Sequence, residues 1–412
     1  MRETIQVPHE KLQAQRQQAL KRHQQRKRRN KVLTVTTSSL IIMCLAFTLS
    51  IRVSPAFANY VAKIPGFAPL VQLFEYDKGL RDVLNNGYFE EVGVAATSDE
   101  HNITVTVVGV IADYSGLAIA YTVEAPTTLR DFGMPDIQIL QNGEQIPAGF
   151  SYDYSSQADQ KYFEDMILLT TDKGMDYSSP DFELALTYNN IDEKIVVPFT
   201  LQQEIYDPKI LAQNIELELE NQRLTIESIM ITPMRAILKF DVDPNNDMQI
   251  LALDGLKLID EDGEEWATIR NGLVANGSLR ENNYTLYMES NYYREPESLK
   301  LSIEAVSALP KGEDYIVVDF EKQQFVKVPS LPAWELQIEA NMLSISTDTG
   351  KGLELVGWGV DALQNVHLDS SYEEDDTRIT QRVNVPADIP NPVRFDINYY
   401  PNYIGEEIEI EL

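Results

Sequence analysis

Three patterns of apolar and polar positions follow one another along the chain. The first runs from Val32 to Ile51, twenty residues without a charge, thirteen of them apolar or cysteine. Its polar members are Ser and Thr, which bond back to helix carbonyls. Twenty residues at 1.5 Å rise span roughly 30 Å, the hydrocarbon thickness of a bilayer. The second pattern is helical: Phe67, Leu70, Val71 and Phe74, then Leu80, Val83 and Leu84 after Lys78-Gly79, recur at the spacing of two short amphipathic helices. Packing against the first folded module is their expected role. Lying on a membrane surface is the sharper reading, weakened by the scarcity of basic residues beside them. Beyond Glu90 alternation at period two takes over.

That alternation predicts hairpins. Ile103, Val105 and Val107 face Leu117, Ile119, Tyr121 and Val123 across the turn Ala112–Gly116. The arrangement returns where Leu224, Ile226, Ile229 and Ile231 lead through Thr232-Pro233-Met234-Arg235 into Ile237, Leu238, Phe240 and Val242. A third copy would place Leu343 and Ile345 before Thr347–Gly352, with Leu353, Leu355 and Val356 after it. A second correspondence marks the module ends: proline, an apolar triplet at period two, a loop, another triplet. It reads Pro180 with Phe182, Leu184, Leu186 and Ile195, Val197, Phe199; then Pro296 with Leu299, Leu301, Ile303 and Ile316, Val318, Phe320; then Pro392 with Phe395, Ile397, Tyr399 and Ile408, Ile410, Leu412. Tandem β-modules are therefore expected, each opening with a hairpin and closing with a strand pair. Linkers fall near Gln202–Asp207 and at Val328–Pro332. The expected boundaries are 1–31, 32–53, 54–89, 90–204 for a first β-sandwich, 205–328 for a second β-module and 329–412 for a small third one.

Charge assigns sides to these segments. The net charge of −30 is the sum of +8 in residues 1–31, +1 in 32–53 (Arg52) and −39 in 54–412. The flank Lys21–Lys31 is a cytoplasmic retention signal under the positive-inside rule, so a single-pass membrane protein is expected, with a cytoplasmic amino terminus and an extracellular acidic body. A rival reading takes Ala56-Phe57-Ala58 as a signal-peptide cleavage site, against which stand a long basic head and an apolar run longer than a usual signal core. Cys44, the single cysteine, lies within the apolar run, so the body forms no internal disulfide and must be stabilised by burial. An acidic body without clustered cations argues against nucleic acid as a partner.

Candidate chemistry is sparse. His101 and His367, the two histidines of the body, lie far apart, and no metal-protease, nucleophile-elbow or phosphate-loop motif occurs. Asp241–Asp247 begins like a calcium loop but lacks the glycine and glutamate that such a loop needs at its sixth and twelfth positions. Asp260–Glu265 reads as a hairpin turn, with Asp262-Gly263 supplying positive φ angles, and Glu373–Asp376 as a solvated loop. Tyrosine clusters at Asn291–Arg294 and Asn398–Tyr403, where it serves either a binding surface or sandwich-corner packing. Asn102, Asn276 and Asn283 match the glycosylation pattern, which has meaning only in a eukaryote. No residue is named as catalytic, cofactor-binding or metal-ligating, and an enzyme is not expected.

Taken together, Ile5–Leu12, the basic tail, the apolar run, Ser54-Pro55-Ala56-Phe57-Ala58, Lys63-Ile64-Pro65-Gly66, Tyr76–Leu80 and the hairpin Thr104–Glu124 resemble a group of Gram-positive bacterial single-pass membrane proteins. These carry an uncharacterised exported domain, often followed by an immunoglobulin-like one. Many are anti-sigma-factor-like and occur with extracytoplasmic-function sigma factors. The resemblance covers residues 1–125, and more loosely 207–328. It implies a mainly β fold: one N-terminal transmembrane helix, then tandem antiparallel immunoglobulin-like β-sandwich modules. It also implies a regulator whose outer modules sense an extracellular ligand and whose head, residues 1–31, contacts a cytosolic sigma factor or other protein. The head is shorter than in longer relatives and lacks a His-x-x-x-Cys-x-x-Cys pattern, so such contact falls to a short helical segment. The alternative is a structural or adhesive surface protein whose head only sets topology.

Overall fold

A computed structural model describes residues 77–412 except 153–158, 172, 189, 192, 268, 270–273, 331–333, 349–368, 375–377 and 387–390. The uncharged run Val32–Ile51, the basic head and the apolar positions Phe67–Phe74 lie outside the described residues, as do His367 and the return half of the third expected hairpin. Among the described residues no helix is long and apolar enough to cross a membrane. What is described is mainly β and belongs to one compact unit.

The chain enters as α1 (Lys78–Asn85) and then forms β1 (Glu90–Thr97), β2 (Thr104–Asp113), β3 (Gly116–Glu124), β4 (Pro135–Gln141), β5 (Glu144–Gln145), β6 (Gly149–Ser151), β7 (Tyr162–Thr170), β8 (Asp181–Tyr188) and β9 (Lys194–Thr200). These make two sheets, ordered β1-β2-β3-β7-β6 and β5-β4-β8-β9. Their facing residues, among them Val105, Ile119, Tyr121, Phe163, Leu184 and Val197, form one core. The alternation in β2 and β3 is the cause, since period two sends every second side chain to the same face. β3 is buried on its other face as well, where Ala118 and Ala120 are 1% exposed.

A second set follows: β10 (Lys209–Leu219), β11 (Gln222–Ile231), β12 (Arg235–Val242), β13 (Met248–Asp254), β14 (Lys257–Asp260), β15 (Glu265–Ala267), β16 (Ala275–Asn276), β17 (Tyr284–Glu289), β18 (Leu299–Ile303) and β19 (Ala305–Pro310). The last set is β20 (Tyr315–Asp319), β21 (Gln324–Lys327), β22 (Glu335–Glu339), β23 (Met342–Asp348), β24 (Asp369–Glu374), β25 (Arg378–Asn384), β26 (Val393–Asp396), β27 (Tyr403–Ile404) and β28 (Ile408–Glu411). The strand pairings are antiparallel throughout. The hairpins β2–β3 and β11–β12 form at the expected turns.

The closing strand pairs differ from expectation. β8 and β9 pair as the sequence predicts, but the other two pairs exchange partners. β18, the first triplet of the second pair, bonds to β28, the last described strand. β20, its expected mate, bonds to β26. The second core therefore takes Ile303, Ile404 and the partly buried Ile408 and Ile410. The third core takes Ile316, Val318, Phe395 and Ile397 together with Leu343 and Val383. Strands thus cross the expected boundary at residues 328/329 in both directions: β20 and β21 pack with the third core, and β27 and β28 with the second. Period-two triplets of similar size satisfy either partner. The choice is made by which sheet edge stands open, information that alternation does not carry.

Candidate functional site

Local chemistry places α1 first. Asp77 has extended dihedrals and its Oδ1 accepts the N–H of Leu80 at 3.0 Å, an N-cap. The helix thus starts at Lys78, and Gly79 lies in its first turn. Leu80, Val83 and Leu84 are buried. The helix was expected to pack against the first module, yet its described bonds go to the second core. Lys78 N donates to Glu289 Oε1 at 3.0 Å and Lys78 Nζ to the Glu265 carbonyl at 2.7 Å. Arg294 Nε reaches Asp82 Oδ2 at 2.6 Å. Gly79 is required by close approach, because a Cβ there would lie 2.6 Å from Ser290 N.

Beside the helix start sits the joint between the first and second cores. The tip of hairpin β2–β3 turns over Tyr114-Ser115. Asp113 at its base is fully buried: its Oδ1 accepts Ser115 N at 2.7 Å and Ser115 Oγ at 2.6 Å, and its Oδ2 accepts the Met234 N–H of the β11–β12 turn at 2.6 Å. That turn is closed by Thr232 and Arg235, which exchange backbone and hydroxyl bonds. Ser290 Oγ donates to the Thr232 carbonyl. Arg235 Nη1 then crosses to Asp77 Oδ2 at 2.8 Å, with both side chains 5% exposed. One turn of the second core therefore holds both the β2–β3 tip and the helix cap.

The linker is fastened to the same place. Tyr206 stacks on Tyr88 at 4.8 Å and on Tyr292 at 6.4 Å, although it stays partly exposed. Lys209 Nζ lies 4.3 Å from the Tyr292 ring centre. Tyr88 Oη donates to the Glu204 carbonyl, and Glu90 accepts the N–H groups of Gln202 and Gln203. Burial pushes the Tyr88 hydroxyl up to about 12 and raises Tyr177, whose Oη bonds the Asp113 and Gly116 carbonyls. The Tyr292-Tyr293 cluster thus serves packing at the joint. The second cluster is split: Tyr400 packs edge-on to Trp334, while Tyr399 Oη meets Asp254 and the exposed Tyr403.

The remaining candidates are separate. His101 Nδ1 lies 2.7 Å from Glu193 Oε2, and that bond lowers the Glu193 pKa. Asp243 accepts the backbone and side-chain N–H groups of Asn245. Asp260 Oδ1 accepts the N–H groups of Asp262 and Glu264 in the β14–β15 turn, with Gly263 at φ 77°. Among the described residues no three His, Cys, Asp or Glu side chains are grouped as metal ligands. An open cleft of about 550 Å³ lies along β1 and β9, lined by Glu90, Glu91, Asp181, Glu183, Phe182 and Phe199. Sequence reasoning missed Asp77, Asp113 and Arg235. The available signal was local: Asp77 immediately precedes a helical period, and Asp113 and Arg235 flank the two hairpin turns.

Residues 26–125 match the model of a domain of unknown function (DUF4179), and residues 209–339 that of a family of unknown function (DUF5643). These stretches overlap the two that carry the resemblance. A solved structure, described as the crystal structure of the conserved domain protein from Bacillus anthracis, is 16% identical with a TM-score of 0.37. The match covers 58% of this chain and 84% of that one. A likeness that distant assigns neither fold nor function. No curated protein matches the chain.

Proposed function

We propose that the chain is a single-pass membrane regulator: its acidic body works outside the cell, Val32–Ile51 crosses the bilayer, and residues 1–31 contact a cytosolic partner of the sigma-factor kind. In this reading the second module is immunoglobulin-like, as the resemblance implies. The observation that carries the proposal is the fastening of α1. The first described helix after the apolar run is tied to the second core by Asp77–Arg235 and Asp82–Arg294. A passive tether needs no such connection, whereas a reporter needs the chain that enters its folded body to be held firmly there, as residues 77–85 are. The charge division of +8 against −39 supports the sidedness.

The test exchanges residues 1–31 for an unrelated segment of equal length and charge. A regulator loses control of its target genes while keeping its place in the membrane. Unchanged transcription after the exchange supports the structural or adhesive alternative. Recovery of Asn59 as a new amino terminus in cells would remove the transmembrane reading, because a cleaved body has no inward connection.

A further inference from the structure

The cleft along β1 and β9 lies apart from the joint. β1 and β9 are the outer strands of their two sheets and run beside one another, with no ladder between them among the described residues. Two local features go with this. β1 carries a bulge between Glu91 and Val94, where Gly93 takes a φ of 65°, and a bulge bends its strand and interrupts pairing. β9 carries Pro198, a residue confined to sheet edges because it has no N–H for a ladder. Between them the groove of about 550 Å³ stays open.

Its lining joins apolar to acidic surface. Val92 and Val94 come from β1 and Pro198 from β9, with Val94 37% exposed. The buried rings of Phe182 and Phe199, stacked at 5.8 Å, form the floor. Glu90 and Glu91 stand on the β1 side, Asp181 and Glu183 on the β8 side, and the described lining contains no lysine, arginine or histidine. Glu90 is held by the N–H groups of Gln202 and Gln203, and Asp181 by the Thr200 hydroxyl at 2.6 Å. Among the described residues no three acidic side chains are grouped to hold a metal ion. The negative charge is therefore spread along the groove and not gathered at a point.

We propose that this groove docks a basic, extended peptide segment of an extracellular partner, with its lysine or arginine stems on Val94 and Pro198 and its charged ends at Glu91 and Glu183. Such side chains match both parts of the lining, because the aliphatic stem covers apolar surface while the head keeps its charge in water or beside a carboxylate. An apolar ligand would desolvate the carboxylates without pairing them, and an anionic one would be repelled. An extended chain sends every second side chain to one face, so a segment that is basic at alternate positions presents its cations together. The proposal gives a ligand class to the outer body of the regulator proposed above. It rests on that reading for the side of the membrane, while the binding itself does not depend on the head.

The experiment uses the full chain in nanodiscs of zwitterionic phosphatidylcholine, which have no net charge to attract the probe. The probe is a fluorescent seven-residue peptide of alternating lysine and valine, followed by anisotropy at low and at physiological salt. Saturable binding is expected, and salt should weaken it. Glu91→Gln/Glu183→Gln should weaken it roughly three- to thirtyfold, the scale of two exposed charge pairs. Val94→Lys, which puts a cation into the groove, should remove it. These side chains are exposed or half-buried, so the variants keep the fold. Glu216→Gln/Glu218→Gln, at exposed positions of β10, takes the same charge from the body and should leave binding unchanged. Absence of saturable binding to the wild-type chain overturns the proposal. Equal weakening by the two double variants also overturns it, because the peptide then answers only to the net charge of the body. Equally tight binding of a glutamate–valine peptide would do the same. None of these outcomes touches the head-exchange test, so the two proposals fail separately.

Discussion

Replacing Arg235 by methionine should release α1 while leaving the cores folded. Arg235 and Asp77 meet at 2.8 Å with 5% of each side chain exposed, so removing the cation leaves a buried carboxylate without its partner. Breaking such a pair from one side costs about 3–5 kcal/mol. An eight-residue helix is marginal by itself, so the loss appears as local opening. At 1.4 kcal/mol per tenfold, hydrogen exchange of the peptide 77–89 should accelerate on the order of a hundred- to a few-thousand-fold. Asp77→Asn retains a cap for Leu80 N–H but leaves the guanidinium unpaired, so it too should accelerate exchange. The double variant Asp77→Asn/Arg235→Met removes both charges and should recover all but roughly 1 kcal/mol, the usual scale of an altered cap. The assay is native-state exchange followed by mass spectrometry on the four proteins. If the two single losses simply add, to within about 0.5 kcal/mol, the pair is not what fastens the helix and the reasoning is refuted.

Three further outcomes are expected. Gly79→Ala should also free α1, because overpacking against Ser290 costs about 1–3 kcal/mol and exceeds the helix propensity gained, about 1 kcal/mol; slower exchange in 77–89 would contradict it. Ile410→Lys should raise exchange in Leu299–Ile303 and spare Tyr315–Asp319, since Ile410 opposes Leu301 in the ladder; the reverse pattern would restore the local pairing that alternation suggests. Lys322 and Asn391 hold the Asp319 carboxyl down to about 2. Its stabilising contribution is then present above the ordinary carboxylate range and fades as pH falls through that range towards 2, so acid unfolding of the third core should become less steep in Asp319→Asn.

The parts legible in the sequence are the local ones. Hairpins β2–β3 and β11–β12 have both strands and their turn within a short stretch, so period two and turn chemistry determine them together. The apolar face of α1 was visible in Leu80, Val83 and Leu84 for the same reason. The exchanged strands were not, because the triplets around Leu301, Val318, Phe395 and Ile410 are nearly equivalent as patterns. Asp77 and Arg235 are 158 residues apart, and nothing in the spacing of a single sequence joins them. Asp113 looked like an ordinary turn residue. Its burial is created by a second core that the hairpin itself does not encode.

The exchange of β26 and β28 also imposes an order in time. A ribosome delivers the chain amino end first, so the first core has all its strands, through β9, well before the last residues are made. The second core then waits: β18 stands at an open edge until residues 408–411 arrive. The third core waits almost as long, for residues 393–396. Residues 393–411 thus complete two cores, and a chain interrupted before them leaves both unfinished, with bare strand edges open to proteolysis and aggregation.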